Sequence, residues 1–270
     1  MEWKNLYRGM LMGTSDVVPG VSGGTMAVVL GIYDRLIAAV NGLLSKEWKK
    51  HLGFLVPLGI GIVLAIFLLA SLMEWLFEHH PGPTQFFFLG LILGVLPYLF
   101  NKADAKHNFQ GKHIVLLIIG TILVGSMAFI TPEEGTVIQN ITMTTYFLLF
   151  FSGFIASSAM ILPGISGSLI LLIIGVYATV MSAISNLQLD LIAVIGLGIV
   201  LGIIVMSKVI HFCLKNYYTG TFAVVIGLVL GSVFVVFPGW PNSGGEVLAS
   251  ILTFAAGLTA AYILGRLEHQ

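Results

Sequence analysis

Two short segments of similar pattern are the places where this chain could do chemistry. They are residues 16–25, which read DVVPGVSGGT, and residues 160–169, which read MILPGISGSL. Pro163 follows Pro19 by 144 residues (163 − 19), and the match continues downstream without a gap. The chain is therefore predicted to be a duplicated unit. Each copy carries one Pro-Gly-x-Ser-Gly break inside an apolar run, and these breaks are called the first and the second motif.

Both motifs have the residue types of a broken helix that binds an anion. Proline and glycine end one half-helix and let the backbone turn, and Ser22 or Thr25, like Ser166 or Ser168, can cap the next one. Free backbone N–H groups and the positive end of the helix dipole then face the break, a site that suits phosphate. The predicted substrate-binding residues of the motifs are Pro19, Gly20, Ser22, Gly23, Gly24, Thr25, Pro163, Gly164, Ser166, Gly167 and Ser168.

Three charged residues accompany the first motif. Asp16 lies at the C-terminal end of a half-helix, where a carboxylate opposes the dipole and is costly at membrane depth. We expect Asp16 to pair with an arginine, hold a cation or take up a proton, with capping of the turn as the alternative. Arg8 and Arg35 lie nearer the base of the same hairpin and could receive phosphate through paired N–H groups. Alternatively, they simply belong to the basic residues of the cytoplasmic side.

Composition predicts a membrane protein. Of the 270 residues, 57% are hydrophobic and 9% are charged, against about 25% charged in soluble domains. The formal net charge of zero argues against nucleic acid as a partner, and the single cysteine, Cys213, excludes an internal disulfide and a cysteine metal site. Four Gly-x-x-x-Gly pairs predict close packing of helices; they are Gly9/Gly13, Gly90/Gly94, Gly198/Gly202 and Gly227/Gly231.

The apolar runs predict two hairpins and six spans. Residues 5–44 would make a helix about 60 Å long, twice the hydrocarbon thickness, so they must fold back. The limb over residues 6–18 is too short to cross, which predicts a re-entrant hairpin. Residues 143–185 form the matching hairpin, although two full spans are the alternative there. The further spans are predicted at residues 52–77, 84–100, 113–130, 189–213, 219–237 and 247–264.

The distribution of Lys and Arg predicts the orientation. If each hairpin enters and leaves on one face, all twelve basic residues fall on the same side, which is the cytoplasm together with both termini. Three spans after each hairpin make the second copy start on the opposite side, so the two breaks are predicted to meet near the midplane of the membrane. The predicted fold is an all-α polytopic membrane protein of two inverted-topology repeats, residues 1–140 and 141–270. Each repeat is a re-entrant helical hairpin followed by three transmembrane helices, as in many secondary transporters.

The motifs with their surroundings resemble the bacterial polyprenyl-phosphate transporter family. The residues that carry the likeness are Ser15 to Thr25, Leu162 to Gly167 and Gly31-Ile32-Tyr33. It covers essentially the whole chain and implies a protein of the bacterial cytoplasmic membrane that returns undecaprenyl phosphate, the lipid carrier of wall synthesis, to the cytoplasmic leaflet. The likeness does not settle which ion drives this movement.

Three functions remain open when the residues and the resemblance are taken together, since the residues alone indicate an anionic substrate but not a lipid. The first is a lipid-phosphate flippase that works by alternating access among membrane lipids, with no cofactor and with H⁺ or Na⁺ coupled through Asp16. The second is a transporter or channel for a small soluble anion at the same half-helix site, and the third is a scaffold for wall-synthesis enzymes. There is no Gly-Lys-Ser/Thr phosphate loop, and neither break has a histidine in its own segment to serve as a base. The chain is therefore predicted not to be an enzyme, and its oligomeric state is left open.

Overall fold

The computed structural model describes residues 1–16, 22–43, 45–130, 136–241 and 243–268. The described residues form α-helices and one 3-10 turn, which confirms the all-helical prediction. In chain order the helices are α1 (Lys4–Asp16), α2 (Gly23–Val29), α3 (Tyr33–Gly42), α4 (Trp48–His79), α5 (Pro81–Lys102), α6 (Ala105–Asn108), α7 (Gly111–Gly125, followed by the 3-10 turn Ser126–Phe129), α8 (Met143–Ile161), α9 (Gly167–Ile174), α10 (Tyr177–Ser185), α11 (Leu189–Asn216), α12 (Tyr218–Val236) and α13 (Gly244–Glu268).

Seven of the described helices are long and apolar enough to cross a membrane: α4, α5, α7 with its 3-10 turn, α8, α11, α12 and α13. The bent pair of α9 and α10 could supply an eighth crossing. On α7, Ile114, Ile118 and Ile122 are exposed along one face, as expected of a helix that contacts lipid rather than water. The chain is therefore a multi-pass membrane protein, and each of the six predicted spans coincides with one of these helices.

The first hairpin has three helical pieces rather than two. The short first limb is α1, whose 13 residues end at Asp16. The second limb is divided at Gly31, whose φ of 66° lies in the left-handed region, so that α2 and α3 are separate helices. All seven residues of α2 are buried. The sequence predicts the fold-back but not this second break.

The second hairpin repeats the division but is less buried. Its first limb is α8, with 19 residues, and its second limb bends by 111° between α9 and α10. The bend falls at Gly175, where φ is 83°. Unlike α2, the eight-residue helix α9 has no buried residue. A pair bent in this way is either a broken span or a re-entrant loop, so the re-entrant hairpin and the two full spans both stay predictions.

Helices with equivalent places in the two halves pack in equivalent ways. Helix α4 packs on α1, and α11 packs on α8; α5 packs on α13, and α12 packs on α7. The predicted Gly-x-x-x-Gly pairs lie in these four interfaces. A methyl group added to Gly90 would overlap the carbonyl oxygen of Phe254, and one on Gly257 would overlap that of Phe87. These glycines therefore let the backbones of α5 and α13 touch.

Candidate functional site

In the first motif, Asp16 is joined to the start of α2. Its Oδ1 accepts a hydrogen bond from the backbone N–H of Gly23, with 2.6 Å between the two atoms. A Cβ on residue 23 would lie 2.8 Å from the Oδ2 of Asp16, so a side chain there would push the carboxylate away from its present position. Of the roles considered for Asp16, the structure contains the cap of the turn. The predicted site residues Pro19 and Gly20 lie outside the described residues.

Two hydroxyl groups complete the turn of the first motif. Ser22 caps α2, because its Oγ accepts the backbone N–H of Thr25 at 3.2 Å, as the sequence predicted. The two side-chain hydroxyl oxygens lie 3.1 Å apart. Both residues are almost fully buried, with 1% and 2% of their surface exposed. The two hydroxyls therefore make their hydrogen bonds inside the protein rather than with solvent.

The two motifs meet directly. The backbone N–H of Gly164 donates to the Oγ1 of Thr25 at 2.8 Å, in a buried hydrogen bond between residues 139 positions apart in sequence. A Cβ on Gly24 would lie 3.1 Å from the carbonyl oxygen of Met160 and 3.2 Å from that of Ile161. The start of α2 thus lies against the end of α8. The predicted contact between the breaks is present, and together they form one polar centre.

The second motif is built differently from the first. Ser166 precedes α9 but makes no side-chain cap; its Oγ lies 2.8 Å from the Oγ of Ser168 instead. The sequence predicted that Ser166 or Ser168 caps α9, and for Ser166 this is wrong. The physical reason is that the neighbouring hydroxyl offers Ser166 a competing partner. Pro163, Gly164 and Ser166 are buried, Gly167 is half-buried and Ser168 is exposed, so the α9 side of the centre is the more open one.

The two predicted arginines lie at the base of the first hairpin rather than at its motif. Arg8 donates to the Oδ1 of Asn5 at 2.7 Å and lies eight residues before Asp16, about 12 Å along α1. Arg35 is exposed and forms an ion pair with Glu2, with its guanidinium 4.8 Å from the centre of the Phe54 ring. The structure therefore separates the arginines from the polar centre.

A polar cluster that the sequence did not predict lies where α3 of the first hairpin meets α5 and α12. Lys102, at the end of α5, forms an ion pair with Asp34 of α3, with 2.7 Å between Nζ and Oδ2. Its Nζ also lies 5.3 Å from the centre of the Phe222 ring on α12. The hydroxyl of Tyr33 and the Oδ1 of Asp34 are buried and have no hydrogen-bond partner in the described part of the chain. In the sequence, the feature that could have indicated this cluster is the Tyr33-Asp34 pair, which follows the break at Gly31.

The described residues do not form a metal site. Among the described residues, no group of three or more His, Cys, Asp or Glu side chains is arranged to hold a metal ion. The polar groups of the centre are instead hydroxyls, backbone N–H groups and the single carboxylate of Asp16. Such a set can hold an oxyanion or a proton.

Comparison with known proteins gives close similarities over most of the chain. The sequence model of a family described as undecaprenyl phosphate translocase-like matches residues 12–250. A polyprenyl-phosphate transporter of Staphylococcus aureus is 40% identical over 277 residues, covering 100% of this chain and 98% of that protein. A polyprenyl-phosphate transporter of Vibrio cholerae is 37% identical over 266 residues, covering 91% of this chain and 83% of that protein. No solved structure is significantly similar to it.

Proposed function

This chain belongs to the undecaprenyl phosphate translocase-like family, and from that membership we propose that it is a flippase for undecaprenyl phosphate. It returns the lipid carrier of wall synthesis across the bacterial cytoplasmic membrane so that the carrier can be used again. Two relatives named as polyprenyl-phosphate transporters, similar over nearly the full length, support the substrate class. The role is transport without catalysis.

The observation that carries the proposal is the buried hydrogen bond between Thr25 and the backbone N–H of Gly164. It supports a single phosphate site shared by the two motifs. Within that site we assign the phosphate to the start of α9, next to Ser166 and Ser168. The start of α2 is less suitable, because Asp16 and Ser22 already accept two of its N–H groups. Backbone N–H groups at a helix start and two hydroxyls are the donors that a phosphate requires.

Asp16 is the proposed coupling residue. Since its carboxylate accepts the first N–H of α2, a proton or Na⁺ bound by this carboxylate would weaken that bond and change the position of α2 directly. Arg8 and Arg35, together at the base of the first hairpin, would receive the phosphate as it reaches the cytoplasmic leaflet. Arg8 lies about two turns of α1 from the centre, a position that suits release of the phosphate rather than the transport step.

Alternating access would follow from two inverted repeats, residues 1–140 and 141–270. The equivalent packing of α4 on α1 and α11 on α8, and of α5 on α13 and α12 on α7, supports this plan. Because the breaks are at the contact between the halves, a rocking movement of one half against the other would open the centre to each side in turn. Both termini would lie in the cytoplasm.

The test is transbilayer movement of labelled undecaprenyl phosphate in proteoliposomes, with and without the purified protein. We expect movement that requires the protein, falls in Ser166→Ala, and responds to an imposed pH or Na⁺ gradient in the wild type but not in Asp16→Asn. Leu189→Ala, a change at an exposed residue, is the matched control. No movement under any gradient with folded protein would contradict the proposal, and movement of inorganic phosphate instead would identify a soluble-anion transporter.

A further inference from the structure

Two cavities lie at equivalent places in the two halves. Cavity A has a volume of about 690 Å³ and lies between α7 and α11, with α12 as its back wall. Cavity B has a volume of about 520 Å³ and lies between α4 and α13, with α5 as its back wall. Their linings correspond at an offset of 137 residues (228 − 91), and the matching pairs include Leu91 with Leu228, Thr84 with Thr221 and Leu76 with Cys213. Both volumes are typical of sites for small molecules.

Charge distinguishes the two cavities. The lining of cavity A includes Lys112 and His113, in the first turn of α7, whereas the described lining of cavity B contains His80 but neither Lys nor Arg. Lys112 is exposed. The Nδ1 of His113 lies 3.1 Å from the backbone nitrogen of Gln110, whose N–H it accepts, so that Nε2 is the ring nitrogen left to donate. Cavity A therefore has hydrogen-bond donors for an anion at one end, and the rest of its lining is mostly apolar.

A residue that lines cavity A carries a buried hydroxyl with no partner among the described residues. Tyr33 lines this cavity, is 3% exposed, and its hydroxyl makes no hydrogen bond to a described residue. Leaving such a group unsatisfied is unfavourable, and an oxygen of a bound ligand would supply the missing acceptor. The opposite end of the cavity is formed by Leu162 and Leu228, which adjoin the second motif, since a Cβ on Gly164 would lie 2.6 Å from the carbonyl oxygen of Leu228.

We propose that cavity A is the docking site for the polyprenyl phosphate in the cytoplasmic leaflet. Lys112, His113 and the Tyr33 hydroxyl hold the phosphate, and the isoprenoid chain lies between α7 and α11 toward Leu228. The ligand that fits is thus an amphiphile with a phosphate head and an apolar tail, rather than free phosphate. This inference rests on the proposed function, because it places the same substrate one step after the polar centre, where the lipid is released.

The only cysteine of the chain provides the test without a mutation, because Cys213 lines cavity A. We would measure its rate of alkylation by N-ethylmaleimide in the full chain in nanodiscs, with geranylgeranyl phosphate, geranylgeraniol or inorganic phosphate added. Geranylgeranyl phosphate should slow alkylation at least fivefold, the alcohol less than twofold, and inorganic phosphate not at all. Equal protection by the phosphate and the alcohol, or no protection by either, would overturn the assignment.

Variants separate the parts of the site. We expect the double variant Lys112→Gln/His113→Gln to raise the half-protecting concentration of geranylgeranyl phosphate about tenfold. Tyr33→Phe alone should raise it about threefold. The matched control is Leu76→Cys in a Cys213→Ala chain, which moves the thiol to the equivalent place in cavity B. There the phosphate and the alcohol should protect alike. Protection that is unchanged in both cavity A variants would also contradict the proposal.

The outcomes distinguish this inference from the proposed function. If wild-type protein moves undecaprenyl phosphate but Cys213 is not protected, the docking site is wrong and the flippase stands. If Cys213 is protected in a phosphate-dependent way but no lipid crosses the bilayer, the binding site stands and the transport proposal fails.

Discussion

At the scale of single residues, Thr25 connects the two halves of the chain. Its hydroxyl oxygen lies near that of Ser22 and accepts the N–H of Gly164. The sequence predicted that hydroxyls at the breaks serve the turns, and for Ser22 this is confirmed. It could not predict the Gly164 partner, because that contact depends on how two distant segments pack. Nor could it predict the Ser166–Ser168 contact, which arises from local competition for a hydrogen bond.

Thr25→Val tests the importance of this hydrogen bond. Valine keeps the shape of threonine but leaves the buried N–H of Gly164 without an acceptor, which should cost about 1–3 kcal/mol in the free energy of unfolding. We expect a lower melting temperature in detergent and slower lipid movement in proteoliposomes. The control is Thr259→Val on α13, an exposed residue whose hydroxyl bonds only to the carbonyl of Ala255 in its own helix. Equal melting and transport in the two variants would refute the structural role of Thr25.

At the scale of helices, glycine faces determine how closely paired helices approach each other. The Gly-x-x-x-Gly spacing predicted that some helices approach closely, and the interfaces at Gly90 and Gly227 confirm it. The spacing could not say which helix each face meets, because a glycine face accepts any small-residue partner. The breaks at Gly31 and Gly175 were visible as repeated residues, but only the positive φ in the structure identifies them as bends.

Gly257→Ala should separate α5 from α13. The added methyl group would overlap the backbone carbonyl of Phe87, and backbone cannot move aside as the end of a side chain can, so overpacking should cost about 1–3 kcal/mol or more. We expect a reduced yield of monodisperse protein and a lower melting temperature. Gly245→Ala, on the same helix with no atom within 4 Å of the added group, should be neutral or gain up to about 1 kcal/mol. The reverse order of stability would contradict this interface.

At the scale of the whole molecule, the orientation in the membrane remains a prediction from charge. In a Cys213→Ala background, Glu78→Cys and Lys46→Cys place single thiols at exposed positions on the predicted outer and inner sides. A membrane-impermeant maleimide should label the first in intact cells and the second only after permeabilisation. The opposite pattern would invert the topology and, with it, the leaflet assigned to cavity A.

Sequence alone was sufficient for the six spans and for the contact between the motifs. It did not predict cavity A or the ion pair of Lys102 with Asp34. Spans follow from hydrophobicity along a continuous segment, and the motif contact follows from the duplication. A cavity and a cross-helix ion pair depend on the distances between helices that come from different parts of the chain.

The pairing of α5 with α13, which come from different halves of the chain, has a consequence for how the protein is made. Helix α5 ends at Lys102 and its partner begins at Gly244, so more than half of the chain is synthesised between them. At the usual pace of translation, of order 5–20 residues per second, this interval lasts on the order of 10 s. During that time the glycine face of α5 is available to other membrane helices. We therefore expect a ribosome stalled before α13 to leave a half-made protein whose α5 pairs with the wrong helices.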